Sequence, residues 1–224
     1  MGIDPKLLED YLKAIYALEE QGERPTTSRL AELMRVTPAS VTDAMKRMAQ
    51  AQYVEYVRYQ GVKLTEAGRR RALQVVRRHR LWELFLAEVL GFSWDQVHEI
   101  ADQLEHVESP LLEERLDAFL GHPKIDPHGH PIPDAHGRIE RIEAVALASL
   151  PVGQSARVLG ASDSHPDFLR YLAKIGLKPG ARLEVVERFA FDGSMQVRLG
   201  EEERLLSAYA AQNVLVVPLG LGPF

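Results

Sequence analysis

The chain has 224 residues, of which 46% are hydrophobic, and it carries a formal net charge of −5. Its length and apolar content suit two small domains or one large one with a buried core. It has no run of 18 apolar residues and no start of the signal-peptide type, so we expect a cytoplasmic protein without a membrane partner. Because cysteine is absent, disulfides and thiolate metal ligands are excluded, and a metal would need His nitrogen and carboxylate or carbonyl oxygen.

Positive and negative charges are unevenly distributed along the chain. Residues 1–80 contain 15 Lys and Arg against 10 Asp and Glu, whereas the remainder contains 12 against 22. The stretch from Lys46 to Arg80 is the most basic, with ten Lys and Arg against Glu55 and Glu66 alone. A solvated helix face is the ordinary explanation for such a stretch, but the motif beside it favours contacts with phosphates.

The first part of the chain reads as three short helices followed by a β-hairpin. The helices are predicted over about residues 5–20, 28–34 and 39–51. Their apolar positions, which we expect to be buried, are Leu8, Leu12, Ile15, Tyr16, Leu18, Leu30, Ala31, Leu33, Val41, Ala44, Met45 and Met48. Strand-like stretches at 53–57 and 62–64 enclose a turn with Gly61. A helix-turn-helix followed by a β-wing is typical of a winged helix, a DNA-binding arrangement.

A long helix is predicted next, from Glu66 to about Leu90, with Thr65 as its cap. Its polar side is expected to carry Arg69, Arg70, Arg77 and Arg78, and its apolar side Leu81, Trp82, Leu84, Phe85 and Leu86. We expect this helix to form a hairpin with residues 94–120. So much apolar surface predicts a homodimer interface, which would match a palindromic DNA site, and packing within one chain is the alternative.

The most informative stretch is 97–106, predicted as one helix entered through Ser93 with Gln96 three residues later. One side of this helix would carry His98, Asp102, Glu105 and His106. His79 and Glu83, four residues apart in the preceding helix, form a second pair. An antiparallel helical hairpin brings such pairs together, so we expect a metal centre. The alternative is a solvated charged face with ordinary histidines.

After residue 120 the sequence pattern changes from helical to loop-like and then to strand-like. Residues 121–137 are rich in Pro, Gly and His, which predicts a loop, and a linker is expected near 138–152. Beyond it, a small barrel is predicted from an amphipathic helix near 168–175 and strand-like segments at 156–159, 183–186, 195–199 and 214–217. We therefore predict a mostly α protein with small β parts. Its domains are expected at residues 1–65, 66–140 and 150–224.

The order of these parts resembles the diphtheria toxin repressor and manganese transport regulator family of metal-dependent repressors. The residues that carry the resemblance are Glu9-Asp10-Tyr11-Leu12, Arg78-His79-Arg80-Leu81, Val97-His98, Glu105-His106 and Pro127-His128-Gly129. The last 70 or so residues resemble the family's FeoA-like domain, with Leu177-Lys178-Pro179-Gly180 as its turn. The resemblance implies a winged helix-turn-helix domain, a helical metal-binding and dimerisation domain and an SH3-like β-barrel.

The resemblance also implies two metal sites. The primary, activating site would use Asp10, Asp102, Glu105 and His106. The ancillary site would use His79, Glu83, His98, the loop residues Asp126 and His128, and Asp163 from the third domain. Asp126 stands where manganese-type members have Cys, which leaves this second ligand set open.

The two aspartates of the primary site bear on the choice of ion. Iron-responsive members have Met and Cys where this chain has Asp10 and Asp102, and hard oxygen ligands suit Mn²⁺. The expected effector is Mn²⁺, with Fe²⁺ as the alternative and with Co²⁺, Cd²⁺ or Zn²⁺ binding in vitro.

The winged helix implies a surface that reads DNA. Base edges are expected to contact Thr37, Ala39, Ser40, Thr42 and Asp43, and phosphates Arg29, Lys46, Arg47 and Arg58. Small polar side chains read few bases directly, so DNA shape should contribute to specificity. The expected partners are double-stranded DNA with a palindromic operator and a second copy of the chain, without a small-molecule substrate.

These features predict a Mn²⁺-dependent repressor of genes for metal transport and homeostasis. A metal-dependent hydrolase is the alternative from another class, since His and carboxylate clusters also hydrolyse substrates. The chain has no HExxH motif, phosphate-binding Gly loop or nucleophile elbow, which disfavours an enzyme. A third alternative is a winged-helix regulator of an organic ligand. For the repressor, we expect an ion at Asp163 to clamp the third domain, with simple packing of the barrel as the alternative.

Overall fold

The computed structural model describes residues 3–57, 61–93, 96–140, 143–163 and 165–219. Within those residues the chain forms eight α-helices and eight β-strands, which are divided between two compact units. The first unit comprises the chain up to His79, Asp102–Glu113 and Pro133–Ile139; the second comprises Arg80–Ala101, Glu114–Ile132 and the chain from Glu140 onward. Among the described residues, no helix is both long and apolar enough to cross a membrane.

The first unit begins with the predicted helices and hairpin. These elements are α1 (Pro5–Glu20), α2 (Thr27–Met34), α3 (Pro38–Gln50), β1 (Val54–Val57) and β2 (Gly61–Leu64). A side-chain oxygen satisfies one free N–H group at the start of each helix. The pairs are Asp4 with Leu7 at 3.1 Å, Thr26 with Arg29 at 3.2 Å and Thr37 with Ser40 at 3.2 Å. Local capping signals therefore fix where these helices begin.

One apolar core joins the three helices to the hairpin. Leu12, Ile15, Leu30 and Met45 are fully enclosed in it, as predicted. The prediction that Leu33 is buried is wrong, because its side chain is 44% exposed. At about 100° per residue, Leu33 lies roughly 200° from Ala31 around the helix and so faces away from the core.

The hairpin and the start of the next helix complete the winged helix that was predicted. β1 and β2 pair antiparallel, from Val54 opposite Leu64 to Val57 opposite Gly61. Helix α4 (Glu66–Glu88) follows, and a Cβ on Gly68 in its first turn would lie 1.9 Å from the carbonyl oxygen of Tyr53. Glycine is therefore required where the helix passes the hairpin. Arg58, a predicted phosphate contact, lies outside the described residues.

Arg77 and Arg78, which were predicted on the polar side of α4, are buried. Arg77 Nε lies 2.8 Å from Glu113 Oε1, and Arg77 Nη1 donates to the carbonyl of Pro133 at 2.7 Å. Arg78 Nη2 donates to Glu9 Oε1 at 2.7 Å. Guanidinium groups can be buried when acceptors satisfy their N–H groups, and these acceptors come from distant parts of the chain.

Two helices follow α4, namely α5 (Val97–Leu104) and α6 (Pro110–Phe119). Ser93 and Gln96, which were predicted at the entry to α5, are in contact, because the backbone N–H of Ser93 donates to Gln96 Oε1 at 3.2 Å. The predicted helix through His106 is wrong in its last two residues, because α5 ends at Leu104 and the N–H of Val107 closes a turn onto the Leu104 carbonyl. Glu105 and His106 therefore lie in this turn.

Large apolar side chains remain exposed around the end of α4 and on α6. They are Val89, Leu90, Phe92, Leu111, Leu112 and Phe119. A small core of Leu81, Leu84, Leu116 and Ile132 lies in the second unit. Exposed apolar surface of this extent is typical of a face that a partner covers.

The second unit also contains a six-stranded antiparallel sheet with two helices. Its elements are β3 (Val145–Ala146), β4 (Ser155–Ala161), α7 (Pro166–Lys174), β5 (Arg182–Arg188), β6 (Met195–Leu199), β7 (Glu202–Leu206), α8 (Ala208–Asn213) and β8 (Val214–Pro218). The strand order is β3-β8-β4-β5-β6-β7. This is the SH3-like domain that was predicted.

The sheet contains two strands that the sequence did not predict. β3 pairs with β8, and both Leu147 and Leu150 are buried in the sheet's core, so the predicted linker 138–152 is wrong from Val145 onward. β7 is an edge strand in which Glu202, Glu203 and Arg204 interrupt the apolar pattern. Charged residues suit an edge strand because they discourage pairing with other chains. They also interrupt the alternation of apolar and polar residues by which a strand is predicted.

Candidate metal centre and DNA-binding surface

His106 directs both ring nitrogens at carboxylates. Nδ1 lies 2.8 Å from Glu9 Oε2, and Nε2 lies 3.1 Å from Asp10 Oδ1. Both acids belong to α1, whereas His106 lies in the turn after α5. Among the described residues, Nε2 is buried and makes no hydrogen bond. A buried imidazole nitrogen that faces a carboxylate in this way is suited to binding a cation.

Glu9 was not predicted as a site residue, yet it orients this histidine. Its side chain is buried and lies 2.7 Å from Arg78 Nη2 and 2.9 Å from Arg71 Nη2, which offset its charge. As acceptor of the Nδ1 proton, Glu9 leaves the lone pair of His106 on Nε2. The sequence held a signal, because Glu9 shares the buried side of α1 with Leu12, where an acid needs a partner.

Asp10, Glu105 and His106 form the first group of candidate ligands, with one ligand atom each within 4.8 Å of one another. Burial raises the pKa of the Asp10 carboxyl; the charge of His106 opposes this shift, and the charge of Glu105 adds to it. Two carboxylates held this close repel each other, and a divalent cation would offset that repulsion. The oxygen and nitrogen donors therefore fit a divalent metal ion.

A second group shares Glu105 with the first. His79 Nδ1 lies 2.5 Å from Glu105 Oε2 and 3.3 Å from Asp102 Oδ1. The ammonium of Lys13 joins this group, 2.7 Å from Asp102 Oδ1 and 2.6 Å from Glu105 Oε2. The four residues predicted for the primary site thus lie in two groups linked through Glu105, and Lys13 is an unpredicted member.

Glu83 is the centre of a further group in the second unit. His98 Nδ1 lies 3.0 Å from Glu83 Oε1, and His128 Nδ1 lies 3.5 Å from Glu83 Oε2. Glu83 and His128 are buried, whereas the side chain of His98 is 59% exposed. His79, predicted as part of the same site, lies one helical turn before Glu83 on α4. One carboxylate with two imidazoles supplies donors for a second divalent ion.

Asp126 shapes the loop that carries His128. Its Oδ1 accepts hydrogen bonds from the backbone N–H groups of His128 at 2.8 Å and His130 at 2.9 Å. Its Oδ2 lies 3.2 Å from His130 Nδ1, and these three residues form another group of candidate ligands. His130 was not predicted as part of any site. Asp126 thus fixes the backbone that presents His128 to Glu83.

Asp163, the predicted ligand from the third domain, has other partners. Tyr209 donates its hydroxyl hydrogen to Asp163 Oδ2 at 2.5 Å, and the backbone N–H of His165 donates to Oδ1 at 2.9 Å. These hydrogen bonds lower the pKa of Asp163. The ligand groups found among the described residues do not include it. The loop instead meets the third domain through its backbone, because Ala161 N–H donates to the His128 carbonyl at 3.1 Å.

The predicted base-reading residues lie at the start of α3. Thr37, Ala39, Ser40 and Asp43 are exposed, and Thr42 is half-buried. Thr42 Oγ1 donates to the Pro38 carbonyl at 2.9 Å, and the hydroxyls of Thr37 and Ser40 lie 2.9 Å apart. Local hydrogen bonds thus hold the hydroxyls of this surface in position.

The predicted phosphate contacts differ in their surroundings. Lys46 and Arg47 are exposed on the next turn of α3. Arg29 is half-buried and pairs with Glu23 at 3.1 Å and Glu32 at 2.8 Å. A phosphate would have to compete with these acids for Arg29, so Lys46 and Arg47 are the stronger candidates.

Three protein-family models match consecutive parts of the chain. The iron dependent repressor N-terminal DNA binding domain matches residues 6–62. The iron dependent repressor metal binding and dimerisation domain matches residues 65–134, and the FeoA domain matches residues 145–218.

Individual relatives agree with these matches. The chain is 33% identical over 192 residues to the iron-dependent repressor IdeR of Mycobacterium tuberculosis, covering 79% of this chain and 82% of that protein. It is 30% identical over 202 residues to the diphtheria toxin repressor of Corynebacterium diphtheriae, covering 80% and 84%. A solved structure described as a manganese-dependent transcriptional repressor complex with manganese has a TM-score of 0.78 and 39% identity, covering 95% of this chain and 100% of that one.

A winged helix-turn-helix combined with a buried centre of imidazole and carboxylate groups defines a metal-dependent DNA-binding regulator. The chain belongs to the diphtheria toxin repressor family of iron-dependent repressors. It is therefore a transcriptional repressor that uses a divalent metal ion, binds DNA and forms a homodimer. The prediction of the family is confirmed, and the hydrolase alternative is wrong because this family consists of repressors.

Proposed function

We propose that the chain is a Mn²⁺-activated repressor of genes for metal-ion transport and homeostasis, acting in the cytoplasm as a homodimer on a palindromic operator. The geometry of His106 carries the proposal: Glu9 holds one ring nitrogen, and the other faces Asp10 at 3.1 Å. The proposed primary ligands are Asp10, Asp102, Glu105 and His106.

Ligand chemistry favours Mn²⁺ over Fe²⁺. Asp10 and Asp102 both offer oxygen, and the chain contains no cysteine. Oxygen donors suit Mn²⁺, whereas sulfur donors select softer ions. The solved relative is described as manganese-dependent, but IdeR is described as iron-dependent, so Fe²⁺ is the second candidate.

The proposed activation depends on how the first unit holds its acids. Asp10 lies on α1, which packs in one core with α2 and α3, while Glu105 and His106 follow α5. A bound divalent cation would supply positive charge that offsets the repulsion among these acids. The acids would then hold α1, and with it the reading helix α3, in one position. Coupling of this kind is typically worth about 1–3 kcal/mol in DNA affinity.

For the ancillary ion we propose Glu83, His98 and His128 as ligands, with His79 contributing from the preceding turn of α4. Asp126 and Asp163 complete the proposed set. Asp163 would have to exchange its hydrogen bond from Tyr209 for the ion. This exchange would tie the third domain to the ion, and replacing Asp163 by Ala tests it through the loss of one metal equivalent.

For DNA recognition, we propose that Thr37, Ala39, Ser40, Thr42 and Asp43 face base edges. The proposed phosphate contacts are Arg29, Lys46, Arg47 and Arg58. Short side chains of this kind leave part of the specificity to DNA shape.

The decisive experiment is DNA selection under defined metal. Chelated protein, reloaded with Mn²⁺ or anaerobically with Fe²⁺, is used to select duplexes from random-sequence DNA, and affinity is then measured by fluorescence anisotropy. We expect palindromic sites whose binding requires metal and is tightest with Mn²⁺. Equal binding after chelation would overturn metal activation, whereas activation by Fe²⁺ alone would replace the proposed ion.

A matched pair of variants tests the ligands. Asp102→Ala should lose the Mn²⁺-dependent gain in affinity, whereas Asp95→Ala, an acid two residues before α5, should keep it. Wild-type activation in Asp102→Ala would remove Asp102 from the primary site.

A further inference from the structure

The ammonium of Lys13 lies among the three candidate ligands of the second group. Lys13 lies on α1, three residues after Asp10. Its ammonium is 2.7 Å from Asp102 Oδ1, 2.6 Å from Glu105 Oε2 and 3.0 Å from His79 Nδ1. These three neighbours are the members of the second ligand group. Two carboxylate oxygens thus accept hydrogen bonds from the ammonium, and the imidazole beside it completes a set of three groups that could otherwise bind a metal.

Glu105 links this group to the first. Its Oε2 faces Lys13 and His79, whereas its Oε1 lies 3.8 Å from His106 Nε2. The carboxylate is therefore placed between two cation positions, one beside Asp10 and one occupied by the lysine. In enzyme centres with two metal ions, the ions lie about 3.5–4 Å apart, close enough for one carboxylate to lie between them.

We propose that Lys13 is a built-in second cation, which limits this centre to a single divalent ion, the one held by the proposed primary ligands Asp10, Asp102, Glu105 and His106. The ammonium supplies one positive charge to His79, Asp102 and Glu105 and excludes a second ion from the position between them. An ordinary surface ion pair does not account for this arrangement, because Glu105 is 1% exposed and Lys13 only 22%. The inference rests on the proposed metal-activated function, since it requires an ion in the first group.

The test counts ions in the full-length protein after dialysis against Mn²⁺, for wild type and for Lys13→Glu, Lys13→Gln and Lys13→Arg. We expect Lys13→Glu, which replaces the cation by a further ligand, to bind one more Mn²⁺ per chain than wild type. Its electron paramagnetic resonance spectrum should then show two magnetically coupled Mn²⁺ ions. Lys13→Gln should bind the additional ion more weakly, and Lys13→Arg, which keeps the charge, should match wild type.

Lys6→Gln is the matched control, because it removes a positive charge near Asp10 from the same helix. This control should bind the same number of ions as wild type. Wild-type stoichiometry without coupling in both Lys13→Glu and Lys13→Gln would overturn the inference, and so would a gain in Lys13→Arg. Failure of the proposed function gives a different result: the Asp10→Ala variant would then bind as many ions as the wild-type protein.

Discussion

Nδ1 of His106 lies 2.8 Å from Glu9 Oε2, and this hydrogen bond decides which imidazole nitrogen faces the candidate metal position. The carboxylate accepts the Nδ1 proton, so the lone pair of the ring lies on Nε2 beside Asp10. Two arginines on α4 in turn hold Glu9. The metal centre therefore includes an outer layer of residues that bind no ion but set the chemistry of those that do.

Replacing Glu9 by Gln should weaken Mn²⁺ binding at the primary site by about 10- to 100-fold, as is typical when a ligating histidine is deprived of its hydrogen-bond partner. The amide donates as well as accepts, so it does not enforce one tautomer of His106. Isothermal titration with Mn²⁺ measures the effect, and circular dichroism checks the fold. Glu20→Gln, at the end of the same helix, is the control. Unchanged affinity in folded Glu9→Gln would show that the orientation of His106 does not limit binding.

Removing Lys46 and Arg47 together should weaken binding to every DNA sequence. Both side chains are exposed on the turn of α3 that follows the base-reading residues. Each DNA phosphate that the variant no longer neutralises should flatten the slope of log affinity against log salt by roughly 0.9. Anisotropy titrations at several salt concentrations measure the slope. The double change of Lys174 and Lys178, two exposed lysines in the third domain, should leave it unchanged. If the slope of the α3 double variant equals that of wild type, the phosphate-binding residues lie elsewhere.

Asp134 should titrate far below an ordinary aspartate. The backbone N–H of Arg138 is the main cause, followed by the Arg138 side chain and the N–H of His136, and together they lower the pKa of Asp134 from 3.8 to about 2. Since the folded pKa is depressed, the resulting stabilisation is complete above pH 3.8 and is lost as the pH falls from 3.8 towards 2. Carboxyl NMR signals of wild type and Arg138→Ala measure this, with a higher pKa expected in the variant. A value near 3.8 in wild type would contradict these hydrogen bonds.

Local sequence signals were sufficient for much of the fold. Asp4 and Thr37 cap the helices that follow them, and such a cap depends only on residues three positions apart. The hairpin was likewise predicted from neighbouring segments, and its strands pair from Val54 opposite Leu64 to Val57 opposite Gly61. Elements with weak periodicity were missed, such as the charged edge strand β7. Local pattern therefore predicts an element well when one of its faces is uniformly apolar.

Most residues of the metal centre could be predicted from the sequence, but the contacts between their side chains could not. The acids and histidines came from a family resemblance, which transfers residue types and not the contacts between side chains. Lys13 meets its partners across 66, 89 and 92 residues of sequence, and no spacing rule links positions so far apart. His79 likewise contacts Glu105 through Nδ1, a contact across 26 residues that helical spacing does not predict. Such pairings depend on how the helices pack.

The loop that carries His128 is packed against strand β4 of the third domain through two glycines. A Cβ on Gly160 would lie 1.9 Å from the His128 carbonyl oxygen and 2.6 Å from the N–H nitrogen of Gly129. Gly129 itself has φ +92, a conformation that other residues rarely adopt. The backbone of the loop and that of β4 can approach this closely only because both positions lack a side chain.

Gly160→Ala should therefore push the loop off the strand and move His128 away from Glu83, which now lies 3.5 Å from its Nδ1. Overpacking of this kind typically costs about 1–3 kcal/mol, so thermal unfolding should shift to lower temperature. Titration with Mn²⁺ should show weaker binding at the ancillary site with the primary site unchanged, because Asp10, Glu105 and His106 belong to the first unit. Ser155→Ala, an exposed position on the same strand, should alter neither property. Wild-type stability and two unchanged Mn²⁺ affinities in Gly160→Ala would mean that the loop reaches its position without this close approach.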